Sequence, residues 1–332
     1  FASWAFTLIR LYCEGSPGLD HSRLYPVWIP RLSMAVLGKE QSDAAKSSLL
    51  VIIGSAQPDH LSTIIQLMRQ PISRLEASKS LALSSWHTAL LTAMVKAVLL
   101  PVITGGPTYD LSRAPACEIV SSLLKCSPSA STVWGTSALT LLIGALVRLG
   151  SDRKAGEGRI AAFASLKDAL VLHPTSLRPF FPQLQRLLSQ AITSSVSSDD
   201  EASSLATEAL AKLLGLLPKP EGLVQEWASM LLAPDDPSGQ SVSEENVQCV
   251  SAPAKTAILK CLRLAFLNSP VILSDRLAHL KEPILSLLRE MAAHPEEIVR
   301  LENSRLIEAL ASASFLDEQE FSKLKELAFL LK

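Results

Sequence analysis

LRPFFPQLQRLLSQAI (177–192) and LATEALAKLLGLLP (205–218) flank the serine-rich break SSVSSDDEASS (194–204), and together they decide the fold. Each is a leucine-rich helical stretch punctuated by proline or a polar break. The same unit recurs outward in LYPVWIPRLSMAVLG (24–38), DAAKSSLLVIIGSA (43–56), EIVSSLLKC (118–126), FASLKDALVLHP (163–174) and LKEPILSLLREMAAHP (280–295). No long stretch alternates apolar and polar residues at period two, which leaves a sheet little to be built from. A helix with one wide apolar stripe buries it against another helix, and a succession of such helices does so by stacking. The pattern predicts an all-α chain, an α-solenoid of degenerate HEAT- or armadillo-like repeats. Proteins of that class bind partners and seldom do chemistry. No repeat of about 34 or 42 residues superposes along the chain, so the tetratricopeptide signature is absent.

Composition narrows the class further. Of 332 residues, 48 % are hydrophobic and 19 % charged, which excludes disorder over the whole chain. A net charge of −1 argues against a strongly basic nucleic-acid groove, and nothing indicates direct RNA contact. Cys13, Cys117, Cys126, Cys249 and Cys261 are odd in number and have neither zinc nor CxxC spacing. They read as buried thiols of an intracellular, reducing compartment. The opening FASWAF lacks an initiating methionine and reads as the start of a fragment. The uncharged run 126–147 and the segment 89–103 invite comparison with a membrane span. However, serines and prolines shorten the first, and Lys96 and Pro101 interrupt the second. Both fall short of the roughly 20 apolar residues a span needs and read as central buried helices, with no membrane partner.

The organisation predicted from breakers is a set of N-terminal helical repeats over 1–150 and C-terminal repeats over 151–332, forming one continuous solenoid. The glycine-containing GSDRKAGEG (150–158) marks the boundary. Pro30 is expected to kink or split the helix that contains it. A long helix is expected from about Ala82 to Val102, followed by an exposed loop over 103–116. APDDPSGQSVSEENVQ anchors a polar loop at 233–250.

No nucleotide-binding, metallohydrolase or nucleophile-elbow motif is present, so no catalytic, cofactor-binding or metal-ligating residue is assigned. The histidines at 21, 60, 87, 173, 279 and 294 stand singly. His173 and His294 each precede proline at a helix end, where an imidazole meets terminal carbonyls. Asp199, Asp200 and Glu201, like Glu296 and Glu297, suit helix N-termini. Arg148, Arg153, Lys154 and Arg159 are the nearest approach to a basic patch. With no aromatic residue among them to stack a base, they read as a solvated loop. Trp28, Trp86, Trp134 and Trp227 read as core residues.

One segment points to a particular family. In 166–192, His173, Pro174 and Thr175 form a turn after a helix, and Arg178, Pro179 and Phe180 open a new leucine-rich helix. A serine-rich linker, an alanine- and leucine-rich helix and Glu226-Trp227 follow in order. This succession resembles the N-terminal helical region of the Rix-type scaffolds of ribosome assembly, whose animal counterpart is the proline-, glutamic acid- and leucine-rich nuclear protein. VWIPRLSMAVLGK (27–39) and LRLAFLNSPVILSDRLAHL (262–280) are similar to further helices of that family. The resemblance implies a nuclear or nucleolar, non-catalytic scaffold in large ribosomal subunit biogenesis and pre-rRNA processing. It further implies as partners a WD-repeat propeller subunit, another helical-repeat subunit, an AAA-type remodelling ATPase and the pre-ribosomal particle. A transport or chaperone-type solenoid, such as an importin-like carrier or an assembly factor, is the alternative. The absence of regular Trp–Asn spacing counts against the armadillo importins.

Overall fold

The computed structural model describes residues 2–15, 21–38, 41–81, 83–194, 200–234 and 250–330, and among these no strand occurs. The chain divides into two units, Phe1–Phe180 and Phe181–Lys332. In the first, α1 (Ala2–Gly15), α2 (Tyr25–Leu37), α3 (Asp43–Gly54) and α4 (Leu61–Ala77) precede a long composite helix. That helix consists of a 3-10 turn, α5 (Thr88–Met94), a π-helical segment Val95–Leu99 and α6 (Leu100–Thr104). It is followed by α7 (Asp110–Lys125), α8 (Ala130–Trp134), α9 (Thr136–Ser151), α10 (Glu157–Leu172) and the short α11 (Pro174–Leu177). The second unit holds α12 (Phe181–Thr193), α13 (Glu201–Leu216), α14 (Glu221–Leu231) and α15 (Ala252–Asn268). It continues with α16 (Pro270–Leu277), α17 (Lys281–Ala292), α18 (Glu297–Ser312) and α19 (Glu318–Leu330).

The packing order defines the architecture. In the first unit α2 stacks on α4, α4 on α7 and α7 on α10, while α1 stacks on α3, α3 on α5 and α6 on α9. In the second, α13 stacks on α15 and α15 on α18, beside a row in which α14 packs on α17 and α17 on α19. Each unit is thus two rows of helices sharing one core, the arrangement of an α-solenoid. The apolar stripes meet between the rows: Ile29, Leu32, Ile64, Leu90, Val120, Leu142 and Leu166 are all fully buried. Each such side chain contributes about 1.5–3 kcal/mol on leaving water.

Local signals fix several helix starts. The Ser42 hydroxyl accepts from Ala45 N at 3.3 Å, the Asp200 carboxylate from Ala202 N at 3.1 Å and Ser251 from Ala254 N at 3.4 Å. At α19 the capping is reciprocal, with Glu320 N donating to Asp317 and Asp317 N to Glu320, both at 2.8 Å.

Elsewhere burial overrides local preference. Pro30 neither splits nor ends α2, which runs unbroken through it because Ile29, Leu32 and Val36 are buried on α4 and its neighbours. Pro71 and Pro115 likewise lie inside α4 and α7. The composite helix Ser85–Thr104 spans 20 residues and is long and apolar enough to cross a membrane by length and composition. Leu90, Leu91, Val95, Val98, Leu99 and Val102 on it are buried against the unit's other helices, and Lys96 is exposed. Its π segment lies just ahead of Pro101, whose ring has no N–H to continue the ladder.

Two expectations are corrected. Residues 103–116 are largely helical: α6 ends at Thr104, a 3-10 turn covers Pro107–Tyr109, and α7 begins at Asp110. The turn at 150–158 is an internal connection of the first unit, from α9 through a 3-10 turn to α10, closed by Gly156 at a φ of 50°. The division between units falls instead at Phe180/Phe181. Most of the polar loop at 233–250, together with Asp199 and Cys249, lies outside the described residues.

Candidate interaction surface

In the first unit the row α4–α7–α10 presents a ladder of paired charges around a groove of about 320 Å3. Arg69 on α4 meets Glu118 on α7 at 2.5 Å. Lys125, in the last turn of α7, reaches back to Glu76 of α4 at 3.8 Å and forward to Asp168 of α10 at 3.3 Å. Ser121 donates to the same Asp168 carboxylate. The second unit repeats the scheme on α13–α15–α18. Lys260 donates to Ser204 at 3.1 Å, and Glu302 accepts from Arg263 at 2.5 Å and from Arg305 at 3.2 Å. Glu302 is buried, so its carboxylate depends on these two guanidiniums. Polar side chains bridging successive helices of one row form a continuous, chemically varied face.

A second set of contacts fixes the stacking itself. His87 opens the composite helix and is fully buried. Ser84 N donates to its Nδ1 at 3.1 Å, so its Nε2 carries the proton and donates to the carbonyl of Val36, the penultimate residue of α2, at 3.0 Å. Burial pushes the His87 pKa below the ordinary imidazole value, with the hydrogen bond to the Val36 carbonyl opposing and nearby Lys46 acting in the same direction as burial. His173 repeats the geometry: its Nε2 donates to Leu124 O, on the penultimate residue of α7, at 2.8 Å.

Arginines perform the analogous task at the other helix ends. Arg113 donates to Gly105 O at 2.6 Å, Arg159 to Gly150 O at 3.1 Å and Arg300 to His294 O at 2.7 Å. Each arginine lies in the first turns of α7, α10 or α18 and caps the end of the helix before it. Arg159 is therefore a structural residue that also lies over the Phe163 ring, whereas Arg148, Arg153 and Lys154 are exposed. Sequence periodicity missed this device. Its signal, an arginine just inside a helix that follows a short turn, was available.

The family-like residues separate by role. His173 is the carbonyl cap just described, and Pro174 supplies the first position of α11. Thr175, Arg178 and Pro179 are exposed, and Phe180 is half-buried. The turn is not unique to this place: Ser269-Pro270 repeats it, with φ/ψ of −146°/56° at Ser269 against −132°/48° at His173. Leu177 and Leu273 are buried at matching positions after the two prolines. Ser269 in turn crowds Gly215, penultimate in α13: a Cβ there would stand 2.5 Å from the Ser269 hydroxyl. Glu226 and Trp227 belong to the second unit, whereas the turn belongs to the first. Trp227 is wholly buried, and Glu226 is exposed on a groove that also includes Arg186 and Gln190 of α12.

Trp134 is fully buried, its indole N–H donating to Ser127 at 3.1 Å, while Trp28 and Trp86 are half-buried. Among the described residues no three His, Cys, Asp or Glu side chains gather as a metal site. Burial pushes the Cys117 thiol up to about 12 and Cys261 higher still, so neither is an ionised nucleophile at neutral pH.

No protein-family model matches the chain. The human protein named "Stalled ribosome sensor GCN1" is 25 % identical over 221 residues, 67 % of this chain. The chain spans only 7 % of that relative's length. Among solved structures, an engineered protein is 13 % identical with a TM-score of 0.38, covering 86 % of this chain and 98 % of its own. A designed armadillo repeat protein is 15 % identical with a TM-score of 0.37, covering 85 % of this chain and 99 % of its own. The α-solenoid assignment rests on the two-row stacking within each unit.

Proposed function

We propose that this chain is a non-catalytic helical-repeat scaffold that works on ribosomes, holding protein partners along the charged ladder faces of α4–α7–α10 and α13–α15–α18. The observation that carries the ribosomal part is the 25 % identity over 221 residues to a protein named as a sensor of stalled ribosomes. The ladder faces support binding as the activity, because they are extended and polar. Gradient sedimentation of the tagged chain from cells, with and without an elongation inhibitor, tests this. Migration with whole ribosomes, increased by the inhibitor, is expected; a chain that stays with free protein in both conditions sinks the proposal.

A second reading is a scaffold of large-subunit assembly in the nucleus. It is favoured by the His173-Pro174-Thr175 turn with Arg178, Pro179, Phe180 and the downstream Glu226-Trp227. In that role the partners are a WD-repeat propeller subunit, another helical-repeat subunit and an AAA-type ATPase on a pre-ribosomal particle. The exposed Thr175, Arg178, Pro179 and Glu226 are the residues available to them. The same gradients run on nuclear extracts separate the two readings. Migration with large-subunit precursors, and accumulation of unprocessed spacer RNA on depletion, belongs to the second alone.

A further inference from the structure

A cleft of about 730 Å3 lies between α2 and α4, large enough for the anchoring side chains of a peptide. Its floor includes Pro30, Met34, Pro71 and Leu75, and its rim carries Arg31 and Arg74. No acidic side chain among the described residues lines it, and among them neither arginine is in an ion pair. The neighbouring groove across α4, α7 and α10 is the opposite case: Arg69 is paired with Glu118, and Lys125 with Glu76 and Asp168. Of these two grooves, which share α4 and the same row, the α2–α4 cleft is the one whose basic side chains have no acidic partner among the described residues.

Helix ends do not account for these arginines. Arg113, Arg159 and Arg300 cap terminal carbonyls, but at the C-termini of α2 and α4 those carbonyls are already taken. Gly38 N donates to Met34 O at 3.1 Å, Ser42 N to Ala35 O at 3.2 Å and His87 to Val36 O at 3.0 Å. On α4, Ser78 N donates to Arg74 O at 3.0 Å and Ser80 N to Leu75 O at 2.8 Å. Among the described residues neither guanidinium has a side-chain partner, and both arginines are exposed and open to a ligand. Two positive charges over an apolar floor complement one kind of partner. A nucleic acid is less well served, because it needs a run of phosphate contacts and this cleft offers two.

We propose that the α2–α4 cleft docks an acidic peptide segment of a partner protein. A leucine, methionine or phenylalanine of that segment sits against Met34, Pro71 and Leu75, and its aspartate or glutamate carboxylates lie on Arg31 and Arg74. The ligand is named by chemistry and not by particle, so this inference stands or falls apart from the ribosomal reading.

The test is a selection of displayed random peptides on the whole chain, counter-selected on the R31E/R74E double variant. Both arginines are exposed, and an unchanged circular dichroism melt confirms that the variant folds. Survivors are expected to combine Asp or Glu with a large apolar residue. A synthetic survivor should bind about tenfold or more weakly to R31E/R74E, and also to Met34→Glu, while R31K/R74K, which keeps the charge and loses the guanidinium fork, should fall between the double reversal and the parent. It should bind an Arg148→Glu chain as tightly as the parent. An empty selection overturns the proposal, as do basic or uncharged survivors, or survivors indifferent to the double reversal. Tighter Arg31- and Arg74-dependent binding of an RNA oligonucleotide would assign the cleft to nucleic acid instead.

Discussion

Replacing His87 with alanine tests whether a buried imidazole ties one helical repeat to the next. The side chain is fully buried, and its loss leaves the Val36 carbonyl inside the unit without a donor. An unsatisfied buried acceptor costs about 1–3 kcal/mol, and the space left by the ring adds about 2 kcal/mol. The sum, about 3–5 kcal/mol, corresponds to a melting temperature lower by about 10 °C for a unit of this size. Calorimetry and far-ultraviolet circular dichroism on the whole chain measure it. His87→Gln can still present a donor to Val36 and should recover about half of the loss.

The pH dependence is the sharper arm. Because the folded pKa is lowered, the unfolded chain binds the proton more readily. Stability from this group is therefore complete above the unfolded value near 6.5 and falls as the pH drops from there toward the lowered folded value. His87→Gln should lack that component of the acid-side slope. A His87→Ala chain within about 1 kcal/mol of the parent, or equal acid-side slopes in parent and His87→Gln, would refute the reasoning.

Three further outcomes are expected. Gly215→Ala brings a Cβ to 2.5 Å from the Ser269 hydroxyl and should cost about 1–3 kcal/mol by urea unfolding, net of a helix-propensity gain; Ser269→Gly in the same chain should restore part of it. Glu302→Gln removes the carboxylate shared by Arg263 and Arg305 and should cost about 2–4 kcal/mol; a change below about 0.5 kcal/mol would mean that the buried pair contributes nothing. Under alkylation with peptide mapping, half-buried Cys126 should react in the folded chain while Cys117 and Cys261 react only on unfolding; equal rates would contradict their burial.

The helices were legible because their causes are local. Ser42, Asp200 and Ser251 stand where caps belong, and the leucine-rich stripes have helical spacing throughout. The ties between helices were not legible, because each joins residues far apart in sequence. His87 meets Val36 across 51 positions and His173 meets Leu124 across 49, and no periodicity within one helix encodes either. Prolines misled for a related reason. Pro30, and Pro115 in the stretch read as a loop, look like breakers, but burial against neighbouring helices outweighs the missing hydrogen bond. Of the basic cluster around 150, Arg148, Arg153 and Lys154 are exposed as read; Arg159 alone is tied down, and nothing in sequence shows that the carbonyl of Gly150 faces it. The turn at His173 was visible, but its recurrence at Ser269-Pro270 was not, since the two share backbone angles and a proline more than side chains.

The π-helical segment Val95–Leu99 has a consequence for how one helix serves several neighbours. Adding one residue to a turn advances the angular phase of everything after it by about 100°. Before the segment, α5 packs on α3 and α8; beyond it, α6 packs on α7 and α9. A straight α-helix would carry its greasy side past one set of neighbours and leave the other facing polar groups. The inserted residue works as a clutch, letting a single continuous rod change the direction in which it faces midway. Deleting one residue from 95–99 would therefore not merely shorten the rod. It would turn Val102 and Ile103 away from the core while leaving Leu90 and Leu91 in place, undocking half of a helix whose other half still fits.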